Sequence, residues 1–259
     1  MEFTLEGQVA HLRRFQATHS PLETLALLAD HFPGRVSFST SFGLEDQILT
    51  HLIFSHDLPI RVFTLDTGRQ FQETYATWNR TLRHYGQPIV VFAPDHAGLE
   101  ALLTSAGPNS FYEGINARQA CCHTRKVEPL RRALANQLVW ITGIRAEQSG
   151  NRQQLAAAEW DAHHQLVKVH PLLDWTWERA WEYALAHNLP LNPLHQRGFP
   201  SIGCAPCTRA VQPGENFRAG RWWWEHSCAK ECGLHTTAEP PAAASSPDDS
   251  ASLSVAIAD

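Results

Sequence analysis

The segment SFSTSFGLEDQ, residues 37–47, decides the fold because it joins a predicted strand to a predicted helix. The apolar run RVSFS (35–39) is typical of a short buried strand, and LEDQILTHLIFSH (44–56) has the apolar spacing of a helix. Phosphate-binding loops lie at such junctions. This loop has a single glycine and no lysine, and it fits neither of the two common glycine-rich phosphate-binding patterns. The residues alone leave two interpretations, an ordinary turn or a different kind of anion-binding loop.

Predicted strands and helices alternate along the chain. This alternation predicts an α/β fold with a mainly parallel sheet and helices on both faces. Ligands of such folds bind beyond the carboxyl ends of the strands, where the loops 39–45, 66–69 and 143–148 are expected to line one crevice. The predicted strands are 35–39, 60–65, 88–93, 138–143 and 165–173, and the predicted helices are 20–32, 44–56, 71–86, 118–137 (bent before Pro129) and 175–188.

Composition and charge exclude several classes of protein. The chain has 259 residues and a formal net charge of −5, which argues against a nucleic-acid-binding protein. Its start lacks the pattern of a signal peptide, and no apolar run approaches the roughly 20 residues of a membrane span. We therefore expect a cytoplasmic protein without a membrane partner. The composition changes after His235, so we predict one domain over 1–235 and a disordered tail over 236–259.

The six cysteines predict chemistry or a metal site rather than structural disulfides, given the expected compartment. Four of them form two pairs that suit a tetrathiolate site for zinc or an iron–sulfur cluster. The adjacent pair taken alone is equally consistent with two small buried apolar residues. The remaining two are consistent with a disulfide or with a reactive thiol on a flexible arm. The pairs are Cys121 with Cys122 and Cys204 with Cys207, and the remaining two are Cys228 and Cys232.

Basic residues recur near the predicted crevice. Each of them alone is typical of a solvated surface charge, but together they favour an anionic, nucleotide-like ligand, since arginine suits phosphate and sulfate. Lys126 follows Cys122 by four residues, which on a regular helix is the same face. The other basic residues of this set are Arg125, Arg145, Arg152, Arg218 and Arg221.

Seven motifs in a fixed order resemble a known family. They are STSFGLEDQ, LDTGRQFQETY, CCHTRKVEPL, GIRAEQS, NPLHQRGFPSIGCAPCTRAV, GENFRAGRWWWE and KECGLH, and they span about residues 30–235. Together they resemble assimilatory adenylyl-sulfate reductase, the iron–sulfur branch of the phosphoadenylyl-sulfate reductase family. The resemblance implies an adenine nucleotide alpha hydrolase-like (ATP pyrophosphatase-like) fold with a mobile C-terminal catalytic segment near 226–235.

The resemblance also implies an activity and a cofactor. Thioredoxin, or glutaredoxin, would reduce adenylyl sulfate to sulfite and AMP through an S-sulfonate on Cys232. Lys126 and His235 would assist, whereas Cys228 lies outside the motif and has no implied role. A [4Fe-4S] cluster would be held by Cys121, Cys122, Cys204 and Cys207.

The implied substrate contacts fall into three groups. The opening loop would cradle the phosphate and sulfate through hydroxyls and backbone N–H groups at a helix N-terminus. Two later loops would hold the adenosine, and arginines would contact the anionic groups. The cradle residues are Ser39, Thr40, Ser41, Phe42 and Gly43; the loop residues are Leu65, Asp66, Thr67, Gly68, Gly143, Ile144 and Arg145; the arginines are Arg152, Arg218 and Arg221.

Three alternatives stay open at this point. The first is the same chemistry on 3′-phosphoadenylyl sulfate. The second is a non-catalytic, zinc-stabilised nucleotide-binding protein, and the third is an adenylating ATP pyrophosphatase, which would leave the motif ECGLH (231–235) unexplained. The sequence leaves the oligomeric state open, and a homo-oligomer is compatible with it.

Overall fold

A six-stranded sheet lies at the centre of residues 5–225, the part of the chain that this computed structural model describes. None of the described helices has the length and apolar character of a membrane span. The strands are β1 Val36–Thr40, β2 Arg61–Leu65, β3 Val90–Phe92, β4 Val139–Ile141, β5 Ala158–Asp161 and β6 Leu166–Val169. The helices are α1 Leu5–Gln16, α2 Pro21–His31, α3 Leu44–Ser55, α4 Gln72–Tyr85, α5 His96–Ala106, α6 Ile115–Cys122, α7 Glu128–Leu134 and α8 Trp177–Ala186. A π-helical turn, His123–Val127, joins α6 to α7.

The strand order is β3-β2-β1-β4-β6-β5, and every neighbouring pair is parallel except β5 with β6. The chain runs outward from β1 to β2 and β3, and then returns to place β4 on the other side of β1, with Phe38 opposite Ile141. The mainly parallel sheet predicted from the sequence is confirmed. The reversal between β1 and β4 is a topological switch point, where open α/β sheets bind ligands.

Both faces of the sheet are covered, as the apolar strands predict. Neighbouring residues of a strand point to opposite faces, so Ile141 joins the larger core with Phe38 and Leu49, while Trp140 joins a second cluster with Phe63. Helix α3 packs in the larger core, and α7 contributes to the second one. Residues of β1 and β4 are buried in these cores, so the loops that follow the two strands start from well-packed positions.

The sequence missed three elements, α1, α5 and β5, and misjudged two others. Helix α5 has no buried residue, so its apolar pattern is weak, and β5 is a four-residue edge strand. The strand predicted over 165–173 ends at Val169 because the chain turns, with the Leu173 N–H donating to the His170 carbonyl at 3.2 Å. The single helix predicted over 118–137 is three consecutive pieces, α6, the π turn and α7.

The packing of α3 gives a direct test of the core. Leu49 is fully buried on α3, whereas Leu185 on α8 is 63% exposed. We expect Leu49→Ala to lower the free energy of unfolding by about 2–5 kcal/mol, because it leaves a cavity. The matched variant Leu185→Ala should change it by less than about 0.5 kcal/mol. Urea unfolding of both variants measures this, and equal losses would contradict the assigned core.

Candidate active site

A crevice opens at the switch point, beyond the carboxyl ends of β1 and β4. Most of the residues that the sequence predicts for substrate binding lie on its wall. Those that line it are Ser39, Thr40, Ser41, Gly43, Leu65, Thr67, Gly143, Ile144, Arg152, Arg218 and Arg221, together with Lys126. Segments far apart in sequence therefore meet at one place, which is what the three predicted loops required.

The loop between β1 and α3 turns sharply at Phe42. Phe42 has a φ of +61°, a left-handed conformation that is uncommon for a non-glycine residue and occurs often at functional sites. Its side chain leaves the crevice and stacks on Trp78 in the core, with ring centroids 5.4 Å apart. Phe42 therefore shapes the loop through its backbone, while the hydroxyl-bearing neighbours Ser39, Thr40 and Ser41 line the crevice. Gly43 is the residue that caps α3.

Arg145 lies behind the crevice rather than on its wall. Its side chain is fully buried, and Nε donates to Glu45 Oε1 at 2.7 Å while Nη1 donates to Glu147 Oε2 at 2.7 Å. Gln148 also donates to Glu45 Oε1, at 3.0 Å. Glu45 belongs to α3, and Arg145 follows β4, so the pair ties the two loops of the switch point together. The sequence predicted Arg145 as a substrate contact, and the structure gives it a supporting position.

The loop after β2 connects the crevice to the cysteines. Asp66 does not line the crevice; its carboxylate accepts from the Gly68 N–H at 2.9 Å and from the Tyr75 hydroxyl at 2.8 Å. Thr67 does line it, and the Thr67 hydroxyl lies 3.3 Å from the Cys204 thiol. The Thr67 carbonyl accepts from Arg125 Nη1 at 2.7 Å. One short turn thus fixes a crevice residue, a cysteine and a buried arginine relative to one another.

The four cysteines predicted as metal ligands surround a second, smaller cavity. All four are free thiols, and three of them are buried. Within residues 5–225, no three or more His, Cys, Asp or Glu side chains lie in positions that could together hold a metal ion. Basic and aromatic side chains complete the wall. The cavity is lined by Cys121, Cys122, Cys204, Cys207, Arg69, Phe111, Arg118, Arg125, Lys126, Pro206 and Trp222.

Lys126 lines both cavities, and its charge acts on the cysteines. Burial and the neighbouring Cys204 raise the pKa of the Cys207 thiol to about 12, against the attraction of Lys126. Burial also opposes ionisation of Cys204, but the charge of Lys126 and the hydrogen bond from Thr67 outweigh it, so the pKa of Cys204 is lowered. The two cavities therefore share one electrostatic environment.

The π turn His123–Val127 places Lys126 between the cavities. Regular helical spacing predicted that Lys126 shares a face with Cys122, but a π turn inserts an extra residue and changes that direction. Arg125 and Lys126 are both buried on this turn. Such π insertions occur frequently at functional sites. The sequence identified the lysine but could not give the geometry that brings it to both cavities.

A buried ion pair that the sequence did not predict holds the end of the described chain. Arg118 on α6 donates to both carboxylate oxygens of Glu225, at 2.8 Å and 3.1 Å, and both side chains are about 96–97% buried. The Arg118 guanidinium also lies over the Trp222 ring, 4.7 Å from its centroid. The chain is therefore fixed beside the cysteine cavity up to Glu225. The predicted residues Cys228, Cys232 and His235, the segment 226–235 and the tail 236–259 lie outside the described residues.

Several residues that line the crevice were not predicted from the sequence. His195 is buried; its Nδ1 lies 2.9 Å from the Phe199 carbonyl, while Nε2 has no partner among the described residues. Burial lowers the pKa of His195, so the ring is neutral near pH 7. The motif NPLHQRGFPSIG contained this residue, but no chemistry followed from its spacing. The other unpredicted wall residues include Asp46, Thr142, Gln148, Ser201 and Phe217.

The position of Arg221 depends on a glycine, which allows a test of the crevice. A Cβ on Gly203 would lie 2.3 Å from Arg221 Nη2, so Gly203→Ala should displace this buried guanidinium. We expect the affinity for AMP, the nucleotide product that the resemblance implies, to fall about tenfold through the loss of one charge-assisted contact. Gly150→Ala is the matched control, because nothing lies within 4 Å of its Cβ. Calorimetric titration measures both, and unchanged affinity in Gly203→Ala would show that Arg221 does not contact the nucleotide.

Solved structures share this fold at low sequence identity. A phosphoadenylyl-sulfate reductase from Candida auris, solved as a phosphate complex, superposes with a TM-score of 0.69 at 23% identity and covers 82% of this chain and 99% of its own. A yeast FAD synthetase solved with FAD superposes with a TM-score of 0.51 at 15% identity, covering 81% of this chain and 70% of its own. These likenesses establish the adenine nucleotide alpha hydrolase-like fold predicted from the sequence.

Sequence relatives establish the family. The model of the phosphoadenosine phosphosulfate reductase domain matches residues 35–210. An adenosine 5′-phosphosulfate reductase from Allochromatium vinosum is 52% identical over 200 residues, which is 77% of this chain and 78% of the relative. One from Agrobacterium fabrum is 51% identical over 202 residues, 78% of each chain. The chain therefore belongs to the phosphoadenosine phosphosulfate reductase family of oxidoreductases, alongside relatives named adenosine 5′-phosphosulfate reductase.

Proposed function

We propose that this protein reduces adenylyl sulfate to sulfite and AMP in sulfate assimilation, with thioredoxin or glutaredoxin as the reductant. The observation that carries the proposal is the shared Lys126: a basic crevice at the nucleotide-binding edge of the sheet adjoins a cavity lined by four cysteines. Relatives at about half identity carry the name of this activity. We place the reaction in the cytoplasm, where dithiol proteins are kept reduced.

The charge of the crevice suits this substrate. Adenylyl sulfate has two anionic groups, a phosphate and a sulfate. The wall carries four basic side chains, Lys126, Arg152, Arg218 and Arg221, and two acidic ones, of which Glu45 is already paired with Arg145. Arg218 and Arg221 both reach the Ser201 hydroxyl, at 3.5 Å and 3.3 Å, so their guanidinium groups converge on one part of the wall. A buried excess of positive charge is offset by an anionic ligand.

In the first chemical step we assign the nucleophile to Cys232. Its thiolate attacks the sulfur of the sulfate group, a sulfur–sulfur bond forms, and the bond from sulfur to the phosphate oxygen breaks. AMP leaves with that electron pair, and Cys232 becomes an S-sulfonate. Cys232 follows Glu225 by seven residues, a span of at most about 25 Å. In this proposal Cys232 reaches the crevice from the anchored Glu225, and the basic groups of the crevice stabilise the developing charge.

In the second step the reductant's thiolate attacks the sulfur of Cys232. The sulfur–sulfur bond breaks, sulfite leaves with its electron pair, and a mixed disulfide joins the two proteins. The second thiol of the reductant resolves it, which returns Cys232 as a thiol and leaves the reductant as a disulfide. The dithiol supplies both electrons of the reduction. Single-turnover chemistry on the protein thus needs no further electron source.

We further propose that Cys121, Cys122, Cys204 and Cys207 hold a [4Fe-4S] cluster. The donor set fits, because four thiols surround one cavity and basic side chains line it, which offsets the negative charge of four thiolates. When bound, the cluster would supply a fixed negative charge beside Lys126. Four thiolates also suit zinc, so the cofactor is tested by visible absorbance with iron and sulfide analysis. A colourless protein that contains one zinc ion would contradict the cluster.

The role of Lys126 gives a specific kinetic prediction. We expect Lys126→Ala to lower kcat by about 100-fold to 1,000-fold, because it removes a buried charge aimed at the transferred group. The visible absorbance should stay, since Lys126 is not a cysteine ligand. Arg131→Ala on the exposed side of α7 is the control for loss of one nearby charge and should keep full activity. A normal rate in Lys126→Ala would remove Lys126 from the mechanism.

The covalent intermediate gives the test of the proposed function. Protein is mixed with adenylyl sulfate labelled with radioactive sulfur, without any reductant, and the labelled peptide is sequenced. We expect label on Cys232, release of that label as sulfite by thioredoxin, and no label on Cys232→Ser. The matched variant Cys228→Ser should be labelled normally. Active wild-type protein that carries no label would refute the S-sulfonate mechanism.

A further inference from the structure

Two acidic residues line the crevice, and one of them, Glu45, is paired with the buried Arg145. Asp46, in the first turn of α3, lines the wall with the four basic side chains. Its Oδ2 accepts from the Ser41 N–H at 2.5 Å and from the Ser41 hydroxyl at 2.7 Å. These are donors that an anion in the cradle would use. The carboxylate therefore accepts from groups that the proposed function assigns to the phosphate or sulfate.

The loop after β4 confines this carboxylate from the other side. A Cβ on Gly143 would lie 2.2 Å from Asp46 Oδ1, so only glycine lets the carboxylate occupy this place. The charged groups that act on Asp46 are Glu45 and Arg152. Burial raises the pKa of Asp46 to about 6, while the hydrogen bonds from Ser41 and the charge of Arg152 oppose that rise. At pH 8 the crevice therefore contains a confined negative charge beside the cradle.

We propose that Asp46 is a specificity-determining residue that limits how much negative charge a ligand of the crevice can carry. The inference rests on the proposed function, which makes this crevice the nucleotide site. An anionic ligand must displace the carboxylate from Ser41 or bind beside it, and the repulsion grows with each charge on the ligand. Adenylyl sulfate and AMP carry about two negative charges near pH 8, whereas ATP carries about four. Asp46 thus favours the former over more highly charged adenine nucleotides.

A helix cap is the simpler interpretation of the same hydrogen bonds. A carboxylate in the first turn stabilises a helix through its backbone N–H groups and dipole. A cap alone explains why Asp46 bonds to Ser41, but it gives no reason for binding to depend on ligand charge. The charge dependence of binding therefore separates the two roles.

The test compares AMP with ATP at pH 8 by tryptophan fluorescence, which the nine tryptophans of the chain make sensitive. We expect Asp46→Asn to raise the affinity for ATP relative to AMP by about a hundredfold, because ATP carries about two more negative charges and each contributes about tenfold at an effective dielectric constant of about 20 over about 12 Å. Asp174→Asn makes the same change in net charge at an exposed position and should leave the ratio unchanged. An unchanged ratio of ATP affinity to AMP affinity in Asp46→Asn would show that Asp46 acts only as a helix cap.

The pH dependence of sulfate binding to wild-type protein is a second measurement. Inorganic sulfate stays fully ionised between pH 5 and 8, so any pH dependence of its affinity comes from the protein. We expect wild-type affinity to fall by up to about tenfold for each pH unit above 6, since sulfate binding favours protonated Asp46. Subtracting the profile of Asp46→Asn removes the contribution of His195. A pH-independent affinity in wild type would overturn the proposal.

The two proposals fail in different ways. Wild-type protein that neither binds AMP nor reduces adenylyl sulfate would overturn the proposed function, and the role of Asp46 with it. Wild-type protein that does both, paired with an unchanged ATP-to-AMP ratio in Asp46→Asn, would overturn the role of Asp46 alone.

The melting temperature is an additional measurement. Because burial raises the pKa of Asp46 to about 6, ionisation of Asp46 lowers the stability of the folded protein as the pH rises through 6. We therefore expect Asp46→Asn to have a higher melting temperature than wild type at pH 8.

Discussion

The buried ion pair between Arg145 and Glu45 is the constraint on which the site depends. Parallel strands bring β1 and β4 together, and a buried bond between the loops that follow them ties these loops to each other. Arg145 supplies it, and its guanidinium lies over the rings of Trp177 and Phe217 at 5.5 Å and 5.6 Å, which extends the connection to α8 and to the later crevice wall. Breaking a buried pair leaves an uncompensated charge, so such a contact is held firmly. The crevice is preorganised because its support is buried.

The second organising feature is the separation of binding from bond breaking. In the proposed function the strand ends hold the anionic ligand, while the cysteines line a neighbouring cavity that shares Lys126. The turn at Thr67 and the buried pair of Arg118 with Glu225 fix the cysteine cavity to the sheet and to the chain that leads to Cys232. A nucleophile on a separate segment can meet both a nucleotide and a protein reductant in turn. That arrangement is what a two-step transfer of a sulfonate group requires.

Sequence reasoning predicted the fold, and many of the residues that line the crevice, because their signals are local. Strand-to-helix spacing gave the loops of the crevice, and the pairing of cysteines gave the second cavity. Sequence reasoning could not anticipate the tertiary contacts of two motif residues. Arg145 forms an ion pair with Glu45, and the ring of Phe42 stacks on that of Trp78. Asp46 passed unnoticed because an acid in the first turn of a helix is ordinary. Only the placement of Ser41 and Gly143 shows that its carboxylate lies in an anion site.

In the proposed function, the crevice at the switch point holds the sulfonucleotide with its sulfate towards the basic residues near the cysteine cavity. The crystal structure of the Cys232→Ser protein with bound adenylyl sulfate tests this arrangement, because that variant lacks the proposed nucleophile and should leave the substrate intact. We predict the phosphate and sulfate oxygens within hydrogen-bond distance of the 39–43 loop and of Lys126, Arg152, Arg218 or Arg221. A nucleotide bound elsewhere, or with its adenine in the 39–43 loop and its sulfate away from Lys126, would contradict the proposed placement of the substrate.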